Sequence, residues 1–267
     1  MCNLGIETNA TKYSPNYARK VCHLLFFIYF FRQMSNPYFR FRQFTVYHDR
    51  CAMKVGTDGT LLGAWARGGE RILDIGTGTG LVALMMAQRY PQAMVTGVDI
   101  DADACQQACE NAAASPFSQR VDIVCGDVCR LSPADYQSFD AIVSNPPYFQ
   151  NSLKNPDGQR SLARHNDMLT YEQLFKAVSL LLSANGEFSL IIPSDCRQSV
   201  KEAAALYAFF PTRECGVKTT PKKQIRRYLL SFCRHSVEQI EKTIGIIEDA
   251  PNVRSEWYSQ LTADFYL

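Results

Sequence analysis

Asn145-Pro146-Pro147-Tyr148 is a set of residues suited to hold a planar amino group while it is alkylated. The preceding Phe139-Asp140-Ala141-Ile142-Val143-Ser144 is an apolar run that reads as a buried strand ending at the motif. Proline lacks a backbone N–H, and each proline drives the residue before it away from helix. Two in succession make a stiff, extended strand exit that displays carbonyl acceptors. An exocyclic amine such as that of adenine needs them, because its lone pair is delocalised into the ring and attacks poorly. The Asn145 side-chain oxygen and the Pro146 carbonyl, each accepting one amine hydrogen, would favour the pyramidal geometry that frees the lone pair. Tyr148 could then stack on the ring. A proline turn after a strand is the plain alternative.

A second set suits a nucleotide-like cofactor. Ile72-Leu73-Asp74-Ile75-Gly76-Thr77-Gly78-Thr79-Gly80 reads as a short strand entering a glycine turn, with a helical run from Leu81 to Ala87 directly behind it. Glycines let the chain turn tightly and approach a ligand with no Cβ in the way. A helix N-terminus favours nearby negative charge. The spacing is G-x-G-x-G, not the G-x-G-x-x-G of dinucleotide sites, and an acid, Asp74, precedes the glycines. Together these residues resemble the S-adenosylmethionine site of class I methyltransferases, where the ligand brings an amino-acid end instead of a pyrophosphate. The resemblance implies that Asp74 organises the cofactor's ammonium group, directly or through water, beside Gly76, Thr77, Gly78 and Gly80.

Met94 to Val98 reads as a second strand ending at Asp99. An acid about 20 residues past the glycines, at a strand end, is the expected partner of ribose hydroxyls. Asp101 is the rival, but a helical pattern begins at Ala102, so Asp101 reads as its cap. A third strand, Val121 to Asp127, places Asp127 to contact the cofactor's adenine amine; a cap or turn role is its alternative.

These groups fall in the order that a doubly wound sheet requires. The first strand carries the glycines, the second the ribose acid, and the fourth ends at Asn145. In open α/β sheets ligands bind beyond the carboxyl ends of the strands, so all four groups meet at one edge. The resemblance implies a Rossmann-like α/β fold with a mostly parallel seven-stranded sheet and an antiparallel C-terminal edge.

The flanking segments follow from periodicity. Pro37 to His48 is aromatic and basic, and its alternation suggests a strand with Arg40 and Arg42 on one face. In Lys54-Val55-Gly56-Thr57-Asp58-Gly59, either Thr57 or Asp58 could cap the helix that starts there. In this family of folds the same segment covers the cofactor's methionine end. Phe149 to Asp167 is polar and aperiodic, with Arg164 and His165. So long a loop inside a compact domain reads as a functional lid or a disordered stretch, and Phe149, Arg164 and His165 are candidate substrate contacts. Tyr171 to Leu182 reads as an amphipathic helix, Gly186 as a turn, Phe188 to Pro193 as a buried strand, and 198–208 as helical. Lys222 to Phe232 alternates basic and apolar residues and suggests an antiparallel edge strand. There Lys222, Lys223 and Arg226 either guard the edge against aggregation or meet RNA phosphate.

Bulk composition bounds the answer modestly. A chain of 267 residues, 46% hydrophobic, can bury a full core, and 34–267 reads as one domain. Lys and Arg number 28 against 26 Asp and Glu; four and one of these lie in 1–33, which leaves 24 against 25 in the rest. A strongly basic coat is excluded, so any RNA footprint is a local patch. The ten cysteines are scattered without C-x-x-C pairs and read as mostly buried, reduced thiols of a cytoplasmic protein, with no metal site. The apolar run Cys22 to Phe31 is too short for a membrane span, and no small-residue cleavage site follows it. Residues 1–33 read as a non-native or disordered extension with translation starting at Met34, which mass spectrometry of the native N-terminus would check.

From Met34 onward the chain resembles the tRNA1(Val) (adenine(37)-N6)-methyltransferase family. The residues that carry this are Asp74-x-Gly76-x-Gly78-x-Gly80, Asn145-Pro146-Pro147-Tyr148-Phe149 and the segment from Met53 to Gly63. The resemblance implies methyl transfer from S-adenosylmethionine to N6 of an adenine beside a tRNA anticodon, by a monomer that uses no metal and no membrane. Rivals are a release-factor glutamine N5-methyltransferase, an rRNA or DNA amino-methyltransferase, a nicotinamide-dependent oxidoreductase, and a non-catalytic RNA-binding factor on the same scaffold. The first normally carries a helical domain before the glycines, for which 34–73 leaves too little room. DNA enzymes normally carry a target-recognition insertion, and none is visible.

Overall fold

Parallel strands covered on both faces need near-continuous apolar runs. The chain supplies them: Ile72, Leu73 and Ile75, then Ala141, Ile142 and Val143, are all buried. A computed structural model describes residues 36–51, 54–134, 136–146 and 169–267; Pro147, Tyr148, Phe149, Arg164, His165 and the extension 1–33 lie outside the described residues. Within the compact unit Tyr38–Leu267, the chain runs through β1 (Tyr38–Arg40), β2 (Thr45–Tyr47), α1 (Thr57–Trp65), β3 (Arg71–Ile75), α2 (Leu81–Arg89), β4 (Met94–Asp99), α3 (Ala102–Ala113), β5 (Val121–Cys125) and β6 (Phe139–Ser144). It continues through α4 (Tyr171–Leu181), β7 (Leu182–Pro193), α5 (Arg197–Leu206), β8 (Phe210–Lys218), β9 (Arg227–Cys233), β10 (Glu241–Ile246), β11 (Glu248–Ala250), β12 (Val253–Arg254) and α6 (Glu256–Leu261).

The main sheet has the order β10-β8-β9-β7-β6-β3-β4-β5. Alternate residues feed opposite layers. Ile72, Val143 and Ile191 join α1 and α2 in one core cluster, while Leu73, Ile142 and Ile192 join α4 and α5 in the other. This is the doubly wound α/β arrangement, with the strand order reversing between β3 and β6.

Several details differ from the sequence expectations. The sheet has eight strands, not seven, because β10 adds a parallel strand outside β8. The antiparallel strand is β9, and it lies between β7 and β8 and not at the edge. Leu229 enters one core layer while Leu230 and Phe232 enter the other, as an interior strand must; the lysines belong to the turn before it. The aromatic arm is a hairpin, not one strand. The chain reverses at Phe41–Phe44, where the Phe41 N–H donates to the Phe44 carbonyl at 2.8 Å, because burying Phe41, Phe44 and Val46 together outweighs plain alternation. Gly186 is not a turn but part of a bulge inside β7: Leu182 opposes Phe139, yet Glu187 already opposes Ala141. A Cβ at Gly186 would lie 2.7 Å from the Leu182 side chain and 3.0 Å from the Asp140 carbonyl oxygen. The thiols of the described residues are not mostly buried. Of the described cysteines, Cys105, Cys215 and Cys233 are buried, but Cys109, Cys125 and Cys129 are exposed. Among the described residues no helix is long and apolar enough to cross a membrane, and no three His, Cys, Asp or Glu side chains are grouped to hold a metal ion.

Candidate active site

The site begins with two neighbouring strand ends. Ser144 of β6 stands opposite Ile75 of β3, and its hydroxyl donates to the Ile75 carbonyl at 2.9 Å in the buried interior. The next residues are Asn145 and Gly76, so the amide and the first glycine leave adjacent strands one step beyond a bonded pair. Asn145 is half-buried and Pro146 is buried.

The glycine turn is built from within. Gly76, Gly78 and Gly80 have φ of 71°, 55° and 80°, left-handed values that side chains resist. The N–H groups of Gly76 and Thr77 donate to the Val98 carbonyl at 2.8 and 3.0 Å, and that of Gly80 to the Thr77 carbonyl at 2.9 Å. The Gly78 N–H donates to Asp99 Oδ2 at 2.8 Å. Four of the turn's N–H groups are thereby used inside the protein and do not face a pyrophosphate. Asp74 takes the anion position at the start of α2. Its Oδ2 accepts from the Thr77 hydroxyl at 2.7 Å and from the Ala83 N–H at 3.1 Å. Burial pushes the Asp74 carboxyl up to about 7, against the lowering pull of those two donors. A carboxylate already sits where a phosphate would bind, which fits an amino-acid-bearing ligand and not a dinucleotide.

The turn also leaves room. A Cβ built on Gly76 meets nothing within 4 Å, and the same holds at Gly126, the residue after β5. Both backbone positions face open space that a ligand can approach.

The remaining acids lie along the same edge in strand order. Asp99, at the end of β4, accepts from Gly78 and, through Oδ1, from the Asp101 N–H at 3.0 Å. Asp101 caps α3 by accepting from the Asp103 and Ala104 N–H groups, as expected. Asp127 accepts from the Cys129 N–H at 2.9 Å and lies 3.5 Å from the Arg130 guanidinium, so its cap role exists whatever else it does. Thr57 opens α1, but neither it nor Asp58 caps that helix: Gly56 is the N-cap, without a side-chain bond. Asp58 instead pairs with Arg227 Nε at 2.8 Å. Arg227 opposes Pro193 at the end of β7, so α1 is tied to this edge too. The β8–β9 turn opens here as well, with Lys222, Lys223 and Arg226 exposed.

A methyltransferase-domain family model matches residues 72–172. A tRNA1(Val) (adenine(37)-N6)-methyltransferase of Bacteroides thetaiotaomicron is 51% identical over 237 residues, covering 88% of this chain and 99% of its own. The chain belongs to that family. Two solved structures resemble this tRNA1(Val) (adenine(37)-N6)-methyltransferase family member in fold. A predicted O-methyltransferase, Atu636 from Agrobacterium tumefaciens, has a TM-score of 0.62 at 19% identity, over 78% of this chain and 96% of that one. The glycopeptide N-methyltransferase MtfA, complexed with S-adenosylmethionine, has a TM-score of 0.50 at 12% identity, over 68% and 100%.

Two residues at the edge escaped sequence reasoning. Ser144 reads as one more strand residue, and only the register shows that its hydroxyl fixes Asn145 against β3. Ile100 stands 67% exposed between two acids; an apolar residue in so polar a turn was the available signal.

Proposed function

We propose that this protein transfers a methyl group from S-adenosylmethionine to N6 of adenine 37 in tRNA1(Val). The observation that carries the reading is the placement of Asn145 and Gly76 one residue beyond the Ser144–Ile75 pair. That adjacency supports a reading in which the Asn145 amide holds the amine beside a glycine turn that takes the cofactor.

S-adenosylmethionine supplies an electrophilic methyl group when bound. Gly76, Thr77, Gly78 and Gly80 give it backbone approach, Asp74 balances its ammonium, Asp99 takes the ribose and Asp127 the adenine amine. Thr57 and Asp58 close the methionine end. Ile100 offers an apolar face to the cofactor's base. Asn145 and the Pro146 carbonyl accept the two hydrogens of the substrate amine, and Pro147 stiffens that exit. Tyr148, with Phe149 beside it in the chain, stacks on the target base at about 1–3 kcal/mol per base. An anticodon loop is single-stranded, which makes unstacking the base inexpensive. No side-chain nucleophile is needed; orientation of the amine is the main contribution. Arg164, His165, Lys222, Lys223 and Arg226 meet RNA phosphate. The enzyme works as a monomer in the cytoplasm.

The test is transfer from labelled S-adenosylmethionine into total tRNA of cells lacking the gene, followed by nucleoside mass spectrometry. Labelled N6-methyladenosine in one valine tRNA is expected; label in release-factor protein instead would overturn the substrate. Asn145→Ala is expected to abolish turnover while leaving cofactor affinity within about threefold, and retained turnover would remove Asn145 from its role.

A further inference from the structure

The aromatic and basic hairpin has no part in the site just described. Its inner face is accounted for: Val46, Phe41 and Phe44 are buried, and Phe39 packs on Phe41 and Tyr266 at centroid distances of 4.7 and 5.9 Å. Its outer face presents exposed side chains. Tyr38 stands opposite Tyr47 and Arg40 opposite Thr45, which puts both tyrosines and the arginine on one side. The two rings lie 5.6 Å apart and remain 40% and 46% exposed. Arg40 and the turn residue Arg42 are exposed too, and residues 36–48 contain no acid. Two adjacent aromatic faces with the Arg40 guanidinium on the same side suit stacked bases and a phosphate.

The hairpin is also fixed to the cofactor turn. The Tyr47 N–H donates to Asn111 Oδ1 at 2.9 Å. Asn111 Nδ2 donates back to the Tyr47 carbonyl and to the Thr79 carbonyl, both at 2.9 Å. One buried amide thus joins the ribbon to the glycine turn. The chain then continues to Cys51, whose sulfur lies 3.9 Å from a Cβ built on Gly78. A strand of RNA on the ribbon would be held in a set position relative to the cofactor.

We propose that the outer face of the β1–β2 hairpin is an RNA-docking surface, with Tyr38 and Tyr47 stacking on unpaired bases of the substrate tRNA and Arg40 meeting its phosphates. This rests on the reading of tRNA as substrate. Binding energy from this face anchors the RNA away from the reacting amine and so lowers KM without changing kcat.

The experiment compares the full chain with Tyr38→Ala/Tyr47→Ala and with Arg40→Glu, which leaves the ring packing in place. Equilibrium binding of unmodified tRNA is measured across salt concentrations, alongside cofactor affinity and steady-state methyl transfer. The double variant is expected to bind tRNA at least about thirtyfold more weakly, with KM for tRNA raised in step and kcat and cofactor affinity unchanged. Arg40→Glu should flatten the log-affinity against log-salt slope by about 0.7. If wild type methylates tRNA and both variants bind it within twofold of wild type, the ribbon is not an RNA surface and faces another partner. If wild type binds tRNA without methylating it, the activity fails and the ribbon is still decided by the variants. Wild type that binds no tRNA overturns both.

Discussion

Asp74→Asn tests whether the cofactor turn holds its carboxylate at a cost. The asparagine keeps an oxygen for the Thr77 hydroxyl and the Ala83 N–H but cannot ionise. In the fold Asp74 keeps its proton up to about 7, against 3.8 for an ordinary aspartate, chiefly because it is buried. The folded state therefore binds more protons between these values. The contribution to stability is fully present below the lower value and is lost as pH rises through the upper one. The whole loss is ~4 kcal/mol, of which ~3 kcal/mol falls above about pH 5. Urea unfolding of both proteins without cofactor, at several pH values from about 5 to 8, reads this directly. The variant should gain on wild type by ~3 kcal/mol across that range, with the gain levelling off above neutrality. The pH-dependent part is diagnostic, since replacing a carboxyl by an amide adds a constant offset. An ammonium bound at Asp74 favours the ionised form, so wild-type cofactor affinity should fall as pH drops below neutrality while the variant's stays weak and flat. A stability gap that does not change with pH would refute the assignment of burial as the dominant influence on this group.

Two further substitutions separate cofactor space from fold stability. Gly76→Ala should destabilise the protein by about 1–2 kcal/mol through its left-handed φ alone, because nothing lies within 4 Å of the new Cβ. Calorimetry should nevertheless show cofactor affinity falling at least about tenfold, since the methyl group enters the space open to the ligand. Glu187→Ala acts midway along β7. It removes the partner 2.9 Å from Arg213 Nη2, and Arg213 is buried with its guanidinium 3.9 Å above the Trp65 ring. Denaturant unfolding should register a loss of about 3–5 kcal/mol with cofactor affinity at room temperature unchanged.

The placement of the candidate cofactor residues was legible because its signals are local. A buried strand, three glycines at fixed spacing, a helix, and acids at the next strand ends each lie within a few residues, and the structure lines up Asp127, Asp99, Gly76 and Asn145 in that order along one edge. Where the sequence misled, the deciding interaction was distant or cooperative. Nothing near Asp58 announces Arg227, 169 positions away, so local logic offers a helix cap. Tyr38 to Tyr47 alternates like one strand and lacks the Gly, Asn or Pro that usually signals a reversal; the turn follows from three residues sharing one core. Gly186 carries a turn's residue type but is required by close backbone approach. β9 looked like an edge because its basic residues precede it, and the apolar positions that serve both layers become meaningful only once β8 and β10 are in place.

The reversed direction of β9 has a consequence for how this scaffold can diversify. Because β8 and β9 are joined through residues 219–226 at the edge that carries Asn145 and the glycine turn, and β10 ends beside Lys218 on that same edge, the chain returns there without a helical crossover. The tip between Thr219 and Arg226 can therefore lengthen, shorten or change charge while both helical layers and the glycine turn stay as they are. On the proposed reading, the charges at Lys222, Lys223 and Arg226 are a part of the RNA contact that can be exchanged without altering the glycine turn.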